Sequence, residues 1–351
     1  VALPPGEHTI EIGDRVVRLV GDGGPAAVGV DGLAPDTQHD VVVDGVHALA
    51  LRTLRSPTGR ELYRFATVGD IHVGDGWTFG ILPTVRDPGG AADPPTPRAL
   101  RAAVTELTAW GARHLVVKGD ITHHGRPAEW TSAAAMLTAT GLPVVATIGN
   151  HDVGAEAVDG RALMGAAGID VAYTGIVVRD LPGFRMIAVD VTIPRRHPGS
   201  YRRVRDAVLE AAAGAVGPVV IAQHHQLMRL PVPSHWPPGV LGPESGRFLH
   251  DLAEANPATL LTSGHNHRYR ARRVGPLLLT EVGSTKDYPG AWAGYVVHEG
   301  GIRQVVRRIE APSVIRWNES TKRALFGIWG RWSPGRLSDR CRTHDWPDGA
   351  R

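Results

Sequence analysis

A chain of 351 residues, 42% of them hydrophobic and 21% charged, has the make-up of an ordinary water-soluble globular protein, long enough for one large domain and a minor one. One cysteine, Cys341, excludes an internal disulfide framework and any cysteine-based zinc cluster, which leaves histidine, present 17 times, as the abundant metal-ligand type. The formal charge of +3 is uneven: residues 301–351 hold eleven Arg or Lys against five Asp or Glu, so the preceding 300 residues are net acidic and the basic excess belongs to the C-terminal tail.

The first residues, VALPPGEHTI, lack the basic start and apolar core of a secretory signal peptide, and no run approaches membrane-spanning length, which predicts a cytoplasmic protein. Short alternating strands follow at His8–Ile12, Arg15–Val20 and Asp40–Val43, separated by Gly, Asp and Pro turns. The stretch Gly32–Val41 resembles the turn into a strand of fibronectin type III-like sandwiches, so residues 1–62 are expected to form a small N-terminal all-β region of that kind or a β-extension.

From residue 64 the pattern changes to buried strand, loop and amphipathic helix. Phe65–Val68, His114–Val117, Pro143–Ile148, Arg185–Val189, Pro218–Ala222 and Thr259–Thr262 read as strands, and Arg98–Trp110 and Ala128–Thr140 as helices. This alternation predicts an α/β fold with strands covered by helices and ligands gathered beyond the strand C-terminal ends. Residues 75–97 and 231–243 hold five prolines each, too many for a helix or a central strand, and are expected to form loops at the rim of a site.

Five short clusters end these apolar runs: Gly69-Asp70-Ile71-His72, Gly119-Asp120, Gly149-Asn150-His151-Asp152, His224-His225 and Gly264-His265-Asn266-His267. Their mixture of carboxylate, amide and imidazole is what two adjacent divalent cations require. At an extended strand end Asp70 and His72, two apart, are expected to face one cation together. Asp120, alone in its cluster, is the natural bridge, because a carboxylate has two oxygens. Asn150 offers a neutral oxygen that keeps the site's positive charge high. His265 and His267 either divide between the metals or share one.

The order Asp-x-His, Gly-Asp, Gly-Asn-His-Asp, His and Gly-His-x-His resembles that of the calcineurin-like metallophosphoesterases over roughly residues 64–310, and most of all that of the bacterial class III cyclic-nucleotide phosphodiesterases and their glycerophosphodiesterase relatives. The resemblance implies a four-layer αββα sandwich over residues 63–310, followed by a basic, Trp-rich tail at 311–351. It also implies two divalent or mixed-valence metal ions, iron, manganese or zinc, about 3.5–4 Å apart and bridged by an aspartate and a hydroxide. Carried over residue by residue, Asp70, His72, Asp120 and His267 hold the first metal, and Asp120, Asn150, His224 and His265 the second. His151 becomes a catalytic group near the leaving oxygen, with Asp152 fixing its tautomer and favouring its protonated form. His225 stays open as a second candidate beside His224, because Gln226 stands where the family commonly has proline.

The expected activity is in-line hydrolysis of a phosphodiester, cyclic nucleotide-like or glycerophosphodiester-like, with a small phosphate ester as partner and no nucleic acid polymer. The alternatives are a phosphomonoesterase or pyrophosphohydrolase on a nucleotide, sugar phosphate or lipid headgroup, and a regulatory binding module on a phosphoesterase fold. Selectivity belongs to the rim, where Trp77, Phe79, Trp236 and Tyr288 are candidates to stack on a base and Arg268 or Lys286 to meet a phosphate. His123 and His124 follow the bridging aspartate as candidate neighbours of the site. The tail Ile315–Trp332 mixes basic residues with three tryptophans; docking on its own domain is the leading reading and an anionic membrane surface the other. Oligomeric state is not encoded in any of these features.

Overall fold

Strand Glu61–Val68 is buried on both faces: Tyr63 and Phe65 join one apolar core, while Ala66 and Val68 join another. Period-two geometry sends alternate side chains to opposite sides, so such a strand needs a covering layer on each. The computed structural model, which describes residues 2–76, 78–88, 92–232 and 236–347, supplies them as two sheets packed face to face with helices outside.

The first sheet runs in the order Asp170–Ala172, Val144–Thr147, Leu115–Lys118, Glu61–Val68, Ala291–His298, Gly301–Arg308, Arg342–Asp345. Its first four strands are parallel and the last three join antiparallel. The second runs Ile176–Leu181, Phe184–Val189, Val219–Gln223, Thr259–Ser263, Leu277–Glu281, Arg270–Val274, with antiparallel strands at its edges. Between the sheets Phe65 stacks on Tyr295 at 4.7 Å and, across the interface, on Phe184 at 5.3 Å; such ring pairs add about 0.5–1.5 kcal/mol beyond their buried area.

Helices Pro95–Ala109 and Pro127–Thr138 cover the outer face of the first sheet, and Arg205–Ala213 and Gly242–Ala255 that of the second. The four layers are therefore αββα, as the resemblance implies. Proline at the first helical position lets Pro95 and Pro127 start their helices without losing a backbone bond. Helix Pro95–Ala109 turns Ala99, Leu100, Ala103 and Leu107 inward, one stripe at helical spacing.

The N-terminal segment folds as one antiparallel sheet, in the order Arg15–Gly21, Gly6–Ile12, Gln38–Val43, Val46–Arg52, and not as two facing sheets. Its core is small, centred on Ile10, Ile12 and Val41. It is tied to the main body by Gly29 N–H donating to Glu310 Oε1 at 2.6 Å and by Arg307 pairing with Asp31 at 2.7 Å. The C-terminal segment docks on the body: Trp317 is buried, and Arg342–Asp345 adds the seventh strand of the first sheet. Among the described residues no helix is long and apolar enough to cross a membrane.

Candidate metal centre

Parallel strands deliver their C-terminal ends to one side of each sheet. Val68, Lys118 and Thr147 end three neighbouring strands of the first sheet, and Gln223 and Ser263 two of the second. The five clusters begin within three residues of those ends and meet over the seam between the sheets. Ligating atoms of Asp70, His72 and His267 lie within 4.8 Å of one another, as do those of Asp70, Asp120 and His224, and those of His224, His225 and His265.

Asp120 stands between these groups. Its Oδ2 is 3.5 Å from His72 Nε2 and 3.3 Å from His224 Nε2. His267 Nε2 is 3.3 Å from Asp70 Oδ1, Asn150 Oδ1 is 3.3 Å from His224 Nε2, and His265 Nδ1 is 3.0 Å from the same His224 nitrogen. The donor set fits two cations. It combines carboxylates, an amide oxygen and imidazoles, and His72 Nε2 is a buried nitrogen with no hydrogen-bond partner, a cost that a cation would remove.

The premise that Asp70 and His72 share a face of an extended strand does not hold. The strand ends at Val68, and Asp70, His72, Asp120, His265 and His267 have φ of +53°, +53°, +46°, +74° and +51°. They occupy left-handed turns that place the side chains through backbone curvature, not strand alternation. Five non-glycine residues held there store strain of the kind concentrated at functional sites, on the order of 1 kcal/mol or more each. The glycines make the close approach feasible: a Cβ on Gly149 would lie 2.2 Å from Asp120 Oδ1, and one on Gly264 2.5 Å from Asp70 Oδ2.

Charge within the cluster is divided unevenly. Burial alone would raise Asp120, but the surrounding His224, His151 and His72 hold its carboxyl well below the usual range. Burial would lower His224 and His267, yet Asp120 lifts the first to about 9, and Asp287 with Asp70 lifts the second to about 10. Burial pushes His72 and His265 well down, and burial with the His224 charge pushes His225 to about 3. His224 Nδ1 donates to Lys118 O at 2.9 Å, and this bond directs Nε2 toward the cluster.

One expected role is corrected. Asp152 does not reach the His151 ring; its oxygens accept from Ile121 N–H at 3.1 Å, Thr122 N–H at 2.8 Å, Thr122 Oγ1 at 2.6 Å and Gly149 N–H at 2.8 Å. These four donors consume the carboxylate and clamp the Asp120 loop to the Asn150 loop. Burial and the Asp120 charge push its pKa up to about 6 against those donors. The tautomer of His151 is instead set by His123, whose carbonyl accepts from His151 Nδ1 at 2.9 Å, leaving Nε2 as the reactive nitrogen.

Three features escaped the sequence. Asp287, fully buried, accepts from His267 Nδ1 at 2.5 Å, the carboxylate support common behind a metal-ligating histidine. Lys118, also fully buried, donates to Ser263 O at 2.8 Å and joins the two sheets beneath the clusters; burial pushes its pKa down to about 7 while Asp70 opposes. Lys286 pairs with Asp75 at 2.5 Å, and Asp75 lies 3.6 Å from His123. Lys286 is thus neither solvated nor free for phosphate. Acidic residues in loops are common, and only tertiary contact marks these.

The rim residues separate. Tyr288 is covered by Lys322 and Arg308, and Phe79 packs on Trp329, so both serve as packing anchors. Trp236 is 67% exposed and meets His197 edge-on at 4.9 Å; Trp77 lies outside the described residues. A cavity of about 330 Å³ opens beside Asn150 and His151, lined also by His123, His124, Arg195, Arg196 and His197.

The comparisons agree with this architecture. The chain is 28% identical over 177 residues to a probable cyclic nucleotide phosphodiesterase of Synechococcus and 26% identical over 164 residues to one of Psychrobacter arcticus. Those alignments cover 49% and 45% of this chain and span 64% and 58% of the two relatives. Among solved structures, purple acid phosphatase PPD1 of yellow lupin aligns with a TM-score of 0.47 at 12% identity, over 87% of this chain and 67% of that one. The profile of the calcineurin-like phosphoesterases matches residues 63–269, a span that contains all five clusters and more than half of the sequence. The chain belongs to the calcineurin-like phosphoesterase family.

Proposed function

We propose that the chain hydrolyses a phosphodiester, cyclic nucleotide-like or glycerophosphodiester-like, with two metal ions drawn from iron, manganese and zinc. Asp70, His72, Asp120 and His267 would hold one, and Asp120, Asn150, His224 and His265 the other. The observation that carries this reading is the Asp120 carboxylate standing within 3.5 Å of imidazoles from both groups. Bound cations would supply activated water and neutralise phosphoryl charge. His151, oriented by the His123 carbonyl, would give a proton to the departing alkoxide from Nε2. The two relatives' names support the diester, while the Arg195 and Arg196 side of the adjacent cavity favours a second reading, a phosphomonoesterase or pyrophosphohydrolase whose substrate carries more negative charge.

The metal-reconstituted protein assayed on bis-para-nitrophenyl phosphate, cyclic AMP and para-nitrophenyl phosphate separates the two. Diester preference is expected, and a preference for the monoester would replace the lead reading with the second. In the same assay His151→Ala should keep its metals by elemental analysis and lose about 10²–10⁴-fold on a diester with a poor leaving group. A wild-type rate there would remove His151 from the chemistry.

The two raised imidazoles give a pH test. Their folded values of about 9 and about 10 exceed the ordinary 6.5, so in chelated protein they contribute stability that is complete below pH 6.5 and is lost as pH rises through 9 to 10. A cation must displace the same protons. Metal affinity is therefore expected to rise from pH 7 to 9, with proton release visible as buffer-dependent heat in calorimetry. A pH-independent affinity would mean that His224 and His267 are not ligands.

A further inference from the structure

The C-terminal segment carries its tryptophans inward. Trp317 is 3% exposed, and its Nε1–H donates to Lys286 O at 2.5 Å. Trp329 packs against Phe79 at 5.6 Å and His267 at 6.0 Å, and Trp332 lies 5.1 Å under the Arg268 guanidinium. The residues turned to water are different ones: Phe326 is 79% exposed and Ile328 61%, beside Ile81 at 63% and Leu82 at 58%.

These four form one surface, because the two loops are hydrogen-bonded together. Leu325 N–H donates to Ile81 O at 3.0 Å, and Phe326 N–H to Leu82 O at 2.7 Å. Leu82, Leu325 and Phe326 have φ of +52°, +52° and +53°, a left-handed backbone that bulky residues rarely adopt. Strained backbone thus holds large apolar side chains in solvent, the reverse of what folding stability alone would select. Arg323 and Arg331 flank the patch, both exposed, and among the described residues neither guanidinium meets a carboxylate.

We propose that Ile81, Leu82, Phe326 and Ile328, with Arg323 and Arg331, form a docking surface for an anionic lipid bilayer. Apolar tips that enter the acyl boundary beside arginines that meet headgroup phosphates are the two components of interfacial binding. Charge argues against a second copy of this chain: a two-fold contact is self-complementary and would crowd four unpaired arginines around one small apolar patch. The patch adjoins the candidate centre, since Trp329, next to Ile328, touches His267. Docking would hold that centre beside phosphoesters carried in the bilayer. The proposal does not depend on the diester reading.

The test is co-sedimentation of the full chain with vesicles of phosphatidylglycerol and phosphatidylcholine, against phosphatidylcholine alone. The wild-type protein should bind the anionic vesicles, weaken as salt is added, and lose at least tenfold in affinity as the Phe326→Glu/Ile328→Glu double variant. Arg323→Ala and Arg331→Ala should each cost about fivefold. All four positions are exposed, so circular dichroism and hydrolysis of a soluble ester should match the wild type. Failure of the wild-type protein to bind, or equal binding by the double variant, overturns the proposal. So does a concentration-dependent dimer in sedimentation velocity that the double variant abolishes, which would make the occupant a second copy.

Discussion

Asp120→Ala is expected to lower kcat on a diester roughly a thousandfold or more and to leave the protein short of metal. A thousandfold corresponds to about 4 kcal/mol of lost transition-state stabilisation, within reach of removing one carboxylate shared by two cations. Asp120 Oδ2 faces His72 and His224, while Oδ1 accepts from His151 N–H at 2.9 Å. Without it the two ligand groups share no anion, and the backbone that carries His151 loses its anchor. Asp120→Asn keeps the shape and removes the charge, so it should retain more metal than alanine yet little activity. Elemental analysis with kinetics on the same preparations decides the matter. Full activity in Asp120→Ala with both metals bound would remove the bridge from the proposal.

The positions of the five clusters were legible in the sequence because each ends a continuous apolar run, and burial of parallel strands on both faces produces such runs. Val144–Thr147 and Val219–Gln223 are buried throughout, and the clusters that follow them met in space as their order suggested. Other elements were hidden for physical reasons. Arg270–Val274 is an edge strand, RARRV, half-exposed along its length, and charge on an edge is a protection against pairing that erases the strand pattern. Helix Gly242–Ala255 begins inside a proline-rich stretch that reads as a loop, although its second residue, Pro243, suits a helix start. At the site, local spacing located the ligands but not their supports. His151 and Asp152 are adjacent in sequence, and their pairing was the natural expectation; a short 3₁₀ turn over His151–Val153 sends the two side chains apart. The partner of His267 lies twenty residues away at Asp287, where no periodicity points to it.

That division of labour sets the second large effect. Asp152→Ala should destabilise the protein by about 3–5 kcal/mol, a cost unlike that of any rim substitution. Its carboxylate accepts from Ile121 N–H, Thr122 N–H, Thr122 Oγ1 and Gly149 N–H, and truncation leaves these donors buried without partners at about 1–3 kcal/mol each before relaxation. Asparagine is no rescue: one oxygen is replaced by an NH₂ that confronts N–H donors, so Asp152→Asn should fall close to alanine. Because the clamp joins the loop of Asp120 to the loop of Asn150, metal affinity and activity should fall with stability. His151→Ala should show the opposite pattern, with stability and metal kept and rate lost. Chemical denaturation of both variants beside metal titration distinguishes a positioning residue from a catalytic one. A wild-type midpoint for Asp152→Ala with only the rate reduced would return Asp152 to the proton-transfer role that its place in the sequence suggests.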